Sequence, residues 1–119
     1  MSATDELRAA TRELQGMMSQ VLAVTREQSA MLRVRPPDLD GYALMGDRIR
    51  GLTDAARPLY QRIAEAVIHH IAVREVVPPD LVRAVGDLSE TLLLVNSEFE
   101  GHEAVLCSVT DALVGEGGT

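Results

Sequence analysis

The chain contains three histidines, whose side chains could bind a metal ion or accept a phosphoryl group. His69 and His70 are adjacent, so on a helix their side chains point about 100° apart and cannot bind one ion together. Glu65 with His69, and Glu98 with His102, have the one-turn spacing that brings two ligands together. Two ligands do not complete a metal site. The sequence therefore predicts no metal and no cofactor.

Catalytic chemistry is equally weakly supported. His102 has the side chain of a phosphoacceptor, as in histidine phosphotransfer domains, but it lies on an apolar helix seam beside Glu103, and the chain has no lysine to hold a phosphate. The arginines of the first helix mostly avoid its seam, so they do not converge on a substrate as they do in chorismate mutase. Cys107 has no basic neighbour that would activate its thiol. We predict a protein without catalytic activity, with histidine phosphotransfer as a third alternative.

The longest apolar pattern runs from Leu81 to Leu113, at the alternating steps of four and three residues that are typical of a helix in a bundle. Its seam contains Leu81, Val85, Leu88, Leu92, Val95, Phe99, His102, Leu106, Val109 and Leu113. One helix cannot bury such a stripe alone in water, so other helices must cover it. We predict that the rest of the chain is organised around this helix.

Two earlier segments have the same spacing. The first seam contains Leu7, Ala10, Leu14, Met17, Val21, Val24, Gln28 and Met31. The second contains Tyr42, Met45, Ile49, Leu52, Ala56, Leu59, Ile63, Ala66 and His70. Pro58 falls inside the second segment and predicts a kink or break near residues 54–58, because proline removes a backbone donor and collides with the preceding turn.

The sequence Pro-Pro-Asp-Leu separates the segments at 36–39 and again at 78–81. Connections this short force neighbouring helices to run antiparallel. We predict an all-α, antiparallel up-down-up three-helix bundle with coiled-coil-like packing and a kinked second helix. The helices are expected at about 4–34, 38–76 and 80–113, in one domain spanning 1–114 and followed by a flexible tail, 115–119.

Two polar residues fall on the predicted seams. Counting helical layers from the two proline connections places His102 within about one turn of Gln28. We interpret Gln28 and His102 as a buried polar pair that fixes the register of the helices at some cost in stability.

Acidic residues are concentrated in the third helix. The net charge is −7, and residues 78–113 contain one arginine and seven acids, which excludes a nucleic-acid partner because phosphates require a basic face. No apolar run approaches the roughly 20 residues that cross a bilayer, so membrane insertion is not expected. The acidic start of the chain and its single cysteine favour a cytoplasmic protein.

Two surfaces carry apolar residues beyond what the seams need. Ala66 to Val77 is apolar nearly all round, so it is either covered or a contact surface. The outer face of the third helix combines leucines with small residues that would let another helix approach closely, although an ordinary exposed face has the same residue types. The predicted partner-binding residues on this face are Leu93, Leu94, Ser97, Gly101, Val105 and Ser108.

The chain resembles the flagellar export chaperones of the FlgN/FliT type, which are small, acidic and all-helical. The similarity runs through Gln28, Leu32, Asp38, Leu44, Arg48, Ile49 and Leu52, and continues from Leu92 to Leu106 with Asn96 and Glu98. The resemblance implies a chaperone that binds the amphipathic terminal segment of hook-associated filament subunits and releases it at a type III export gate. The alternative from another class is a structural homodimer that covers its surplus apolar face with a second copy.

Overall fold

The chain folds into three long α-helices in the computed structural model, which describes the backbone of residues 2–117 and the side chains of residues 2–108 and Asp111. The helices are α1 (Ala3–Arg33), α2 (Leu39–Val73) and α3 (Pro79–Gly117). They form a rod of 66 × 19 × 19 Å. Since the described residues contain no strand, the predicted all-α three-helix bundle is confirmed. None of the helices, over the residues described, is long and apolar enough to cross a bilayer.

Local sequence explains where α1 and α2 begin and end. The Ser2 hydroxyl accepts a hydrogen bond from the Asp5 N–H at 3.1 Å, and the Asp38 carboxylate accepts one from the Gly41 N–H at 2.9 Å, so each side chain caps a helix N-terminus. α2 is followed by its C-terminal cap residue, Arg74, which has a left-handed φ of 56°. The Glu75 N–H then donates to the His70 carbonyl at 3.1 Å and closes the last turn.

Contacts at both ends of α1 establish the directions of the helices. Thr4 Oγ1 lies 3.2 Å from His70 Nε2, and Gln28 Nε2 donates to the Tyr42 carbonyl at 3.0 Å, so α2 runs antiparallel to α1. Arg8 Nε donates to Asp80 Oδ2 at 3.1 Å, near the beginning of both α1 and α3. α3 therefore runs parallel to α1, which completes the up-down-up arrangement.

The central helix is α1, and the prediction that α3 is central was wrong. α1 packs against both α2 and α3, whereas among the described residues no Cα of α2 lies within 8 Å of a Cα of α3. α1 consequently buries a second stripe beside its predicted seam. That stripe contains Thr11, Met18, Thr25, Ser29 and Leu32. In the sequence Met18 and Leu32 widen the apolar face beyond the seam, but the other three residues bear hydroxyl groups and do not register in an apolar pattern.

α3 is rotated toward α1 relative to its predicted seam. Val85 and Phe99, both predicted to be on the seam, are 36% and 37% exposed. Ala84, Thr91 and Glu98 are half-buried instead. The physical reason is that α2 packs less closely against α3 than α1 does, with no Cα pair within 8 Å among the described residues, so α3 buries mainly the side that faces α1. The predicted seam residues Val109 and Leu113 lie outside the described side chains.

The predicted seam of α2 is confirmed, because each of its residues is buried or half-buried. α2 continues through Pro58 without a break. α3 extends to Gly117, beyond the end expected for the third helix at residue 113. Once a helix is nucleated, each further residue adds a hydrogen bond, so a single glycine costs only about 1 kcal/mol and does not end it. Residues 118 and 119 lie outside the described part of the chain.

Candidate functional site

The outer face of α3 places adjacent leucines at the surface. Leu93 is 67% exposed and Leu94 is 48% exposed. Ser97, Gly101 and Ser108 are also exposed, as the outer-face pattern predicted. Successive steps of three and four residues bring these positions onto one side of the helix. We call this side, from Leu93 to Ser108, the α3 outer face.

Val105 differs from the other residues predicted for this face. It is half-buried, because the rotation of α3 toward α1 carries it to the edge of the helix contact. The apolar anchors of the α3 outer face are therefore the two leucines, and Val105 lies at its border.

The space above Gly101 is open. A Cβ added to Gly101 would meet no atom within 4 Å among the described residues. The glycine is therefore not required by packing within the chain. A glycine inside a helix costs about 1 kcal/mol of stability relative to alanine. At Gly101 this cost comes with a surface that has no side chain, which permits the backbone of another helix to approach closely.

The electrostatic field around the leucines is acidic. From Gly86 to the last residue the chain contains seven acids and no lysine or arginine. Glu90, Glu100 and Glu103 are exposed, and within the described residues none of them has a basic nitrogen within 4.0 Å. Unpaired surface carboxylates attract a cationic partner and repel an anionic one over about 8 to 10 Å at physiological salt.

A buried polar cluster lies between α1 and α3 at the level of His102. Ser29 Oγ lies 2.6 Å from His102 Nε2 and donates to Glu98 Oε2 at 3.0 Å. Arg26 Nε lies 3.6 Å from the other Glu98 oxygen, toward the surface. The rings of Tyr42 and Phe99 flank the imidazole of His102, with centroids 5.7 and 5.9 Å away.

Gln28 and His102 are both buried, at 3% exposure each, but they do not hydrogen-bond to each other. Gln28 donates to the backbone of Tyr42, while His102 pairs with Ser29. Tyr42 therefore lies between the two predicted partners. The polar register contact is made by Ser29 and His102, because Ser29 is on the side of α1 that faces α3.

This cluster does not have the geometry of a catalytic triad. Glu98 bonds to Ser29 rather than to the imidazole, and His102 Nδ1 has no hydrogen-bond partner in the described residues. Burial lowers the pKa of His102 below its usual 6.5, and the Thr25 carbonyl and Glu98 carboxylate oppose this effect in part. With its Nε2 bonded and its ring buried, His102 does not present a nucleophile to a phosphodonor.

Over the residues described, no group of three or more His, Cys, Asp or Glu side chains could hold a metal ion. Cys107 is a free, exposed cysteine. Sequence reasoning missed Ser29, which has the closest contact to His102. The sequence pattern that would have identified it is the second stripe of α1, in which Met18, Thr25, Ser29 and Leu32 recur at helical spacing.

Together the fold and the surface define an all-helical rod with an acidic outer face that exposes two leucines. Comparison with known proteins gave no family model that matches the chain. The comparison with curated proteins and the comparison with solved structures also gave no match.

Proposed function

We propose that the protein is a non-catalytic chaperone or adaptor that binds an amphipathic helical segment of a partner protein on the α3 outer face. The observation that carries the proposal is the exposure of Leu93 and Leu94, at 67% and 48%, in the most acidic helix of the chain. Two adjacent leucines provide apolar anchors for the seam of a partner helix. The open space above Gly101 lets that helix lie close to α3.

Charge selects the kind of partner. The exposed Glu90 lies about one turn before the leucines on α3, Glu100 and Glu103 lie two to three turns after them, and none has a cationic partner within the described residues. A partner helix with lysine or arginine beside its apolar seam would neutralise these carboxylates, whereas an acidic helix would be repelled. The proposed partner is therefore a basic amphipathic helix.

The resemblance to flagellar export chaperones supports a specific version of this role. In that version the partner is the amphipathic terminal segment of an exported hook-associated subunit, which the protein keeps from premature assembly. The acidic, all-helical character of the chain is compatible with the role, and the binding face is the same in both versions.

The test uses a synthetic, fluorescently labelled helical peptide of about 20 residues, long enough to span about 30 Å, with leucines on its seam and lysines beside it. Fluorescence anisotropy measures its affinity for the wild type and for Leu93→Glu/Leu94→Glu. Each leucine contributes about 1.5 kcal/mol or more when buried, so the double variant should bind at least tenfold more weakly. Leu44→Glu is the control, because Leu44 is a similarly exposed leucine, at 61%, that lies on α2 rather than on α3.

A second pair of variants tests the close approach at Gly101. Gly101→Ala and Gly51→Ala should each stabilise the fold by up to about 1 kcal/mol, since neither added Cβ meets an atom within 4 Å. Only Gly101→Ala should weaken the peptide. Equal affinity of the peptide for the wild type and the double leucine variant would contradict the proposal, as would a preference for a peptide with glutamates in place of the lysines.

A further inference from the structure

A second apolar surface lies at the other end of the rod, where α2 ends and α3 begins. Ile68 and Ile71 on α2 are 65% and 71% exposed, and Val76 in the connection is 89% exposed. On α3, Val82 and Val85 are 59% and 36% exposed. With Val67, which is 39% exposed, these six side chains form what we call the corner surface.

Helical geometry places these residues on one side of the bundle. Val67 and Ile71 each follow a buried residue of α2 by one position, and Val82 and Val85 each follow a residue of α3 that is buried or half-buried. The opposite side of α3, with Asp80 and Ala84, lines the groove against α1. Because α2 and α3 run antiparallel, a one-residue step turns the two helices in opposite senses. On α3 the step leads to Val85, on the side that faces α2, so on α2 it leads to the side that faces α3.

We propose that the corner surface is the interface of a homodimer in which a second copy of this chain packs its own corner surface against the first. From their exposed fractions, the six residues together expose about 600 Å² of surface, most of it apolar. Each partner in an interface of standard size buries roughly 800 Å². A polar rim around such an apolar centre completes an interface of ordinary size.

Charge favours a second copy as the occupant. Between Ala64 and Val85 the chain contains three acids and two arginines, and one of the acids, Asp80, already accepts a hydrogen bond from Arg8. Glu65 and Glu75 are therefore matched in number by Arg74 and Arg83 within the segment that carries the corner surface. By contrast, seven acids and no lysine or arginine follow Gly86 in the sequence. A symmetric contact at the corner therefore brings together segments with almost no net charge rather than the acid-rich later part of α3.

Light scattering coupled to size exclusion measures the mass of the particle independently of its elongated shape. The wild type should have twice the 12.9 kDa mass of the chain, and Ile71→Glu should have the mass of one chain because it places two buried carboxylates at a two-fold interface. Leu44→Glu, a substitution of an exposed leucine of α2 outside the corner surface, should remain a dimer. Far-ultraviolet circular dichroism should give the same helix content for all three proteins.

Three outcomes would overturn the proposal. A monomeric wild type would mean that something other than a second copy covers the corner surface, or that nothing does. A dimeric Ile71→Glu would place the interface elsewhere. Loss of the dimer in Leu44→Glu as well would indicate unspecific association. The result is separate from the peptide-binding test, because the substitutions expected to weaken the peptide, at Leu93, Leu94 and Gly101, all lie on the α3 outer face and not on the corner surface.

Discussion

Substituting Ser29 with alanine should destabilise the protein far more than an ordinary serine substitution. The Ser29 hydroxyl lies 2.6 Å from His102 Nε2, 3.0 Å from a Glu98 oxygen and 3.4 Å from the Thr25 carbonyl. His102 is 3% exposed and its Nδ1 has no partner in the described residues, so Ser29→Ala removes the only side chain among the described residues that hydrogen-bonds to the imidazole. The hydroxyl is the buried link between α1 and α3 at this level, beside the ion pair of Arg26 and Glu98 nearer the surface.

The magnitude follows from what is left unpaired. A buried polar group without a partner costs about 1 to 3 kcal/mol, whereas Glu98 retains Arg26 and partial access to water and loses less. We expect Ser29→Ala to lower the free energy of unfolding by about 2 kcal/mol. Ser89→Ala is the control, since Ser89 is exposed and bonds only to the Val85 carbonyl of its own helix. It should change stability by less than about 0.5 kcal/mol.

A double-mutant cycle in urea isolates the contact. Replacing both partners of a buried hydrogen bond with apolar groups is nearly neutral, so Ser29→Ala/His102→Leu should recover much of the stability lost in Ser29→Ala alone. The coupling free energy should be about 1 kcal/mol or more. If Ser29→Ala matches the Ser89→Ala control, or if the two substitutions add without coupling, the reasoning about this cluster is refuted.

Three further predictions concern stability. Burial lowers the pKa of His102 in the folded state, so the unfolded state takes up the proton more readily. The contribution of neutral His102 to the free energy of unfolding is therefore complete above pH 6.5 and declines as the pH falls below it. Urea unfolding at pH 7.5 and 5.5 should show a smaller decline in the free energy of unfolding for His102→Leu than for the wild type. Arg74→Gly should raise the melting temperature, since the left-handed φ of 56° costs a side-chain-bearing residue about 1 kcal/mol, and a lower melting temperature would contradict this. Leu14→Ala, at 0% exposure on the central helix, should lower the free energy of unfolding by about 3 to 5 kcal/mol. Leu44→Ala, at 61% exposure on α2, should lower it by less than about 1 kcal/mol. Similar losses for the two variants would show that α1 is not central.

The helices and their order could be predicted from the sequence because apolar spacing and the two proline connections depend on local chemistry. The arrangement of the helices in cross-section could not. A seam shows that a helix is covered, but not by how many neighbours, and the long seam of α3 was mistaken for that of the central helix. The hydroxyls of Thr25 and Ser29 hid the second buried stripe of α1, which is what makes α1 central.

The same limitation applies to the predicted site. The exposure of Leu93 and Leu94 could be predicted because they lie opposite the seam. The position of Val105 at the border could not, because it depends on the rotation of α3 toward α1. Likewise, both Gln28 and His102 are buried as predicted, but their hydrogen-bond partners depend on which side of α1 each neighbouring helix occupies.

The most direct test of the central claim is methyl NMR of the full chain during titration with the basic amphipathic peptide. We expect the methyl signals of Leu93 and Leu94 to shift or broaden as the peptide binds, while those of Leu44, an exposed leucine of α2, stay unchanged. If the peptide leaves the Leu93 and Leu94 signals unmoved, or perturbs Leu44 and Ile71 instead, the α3 outer face is not the site at which this protein holds a partner helix.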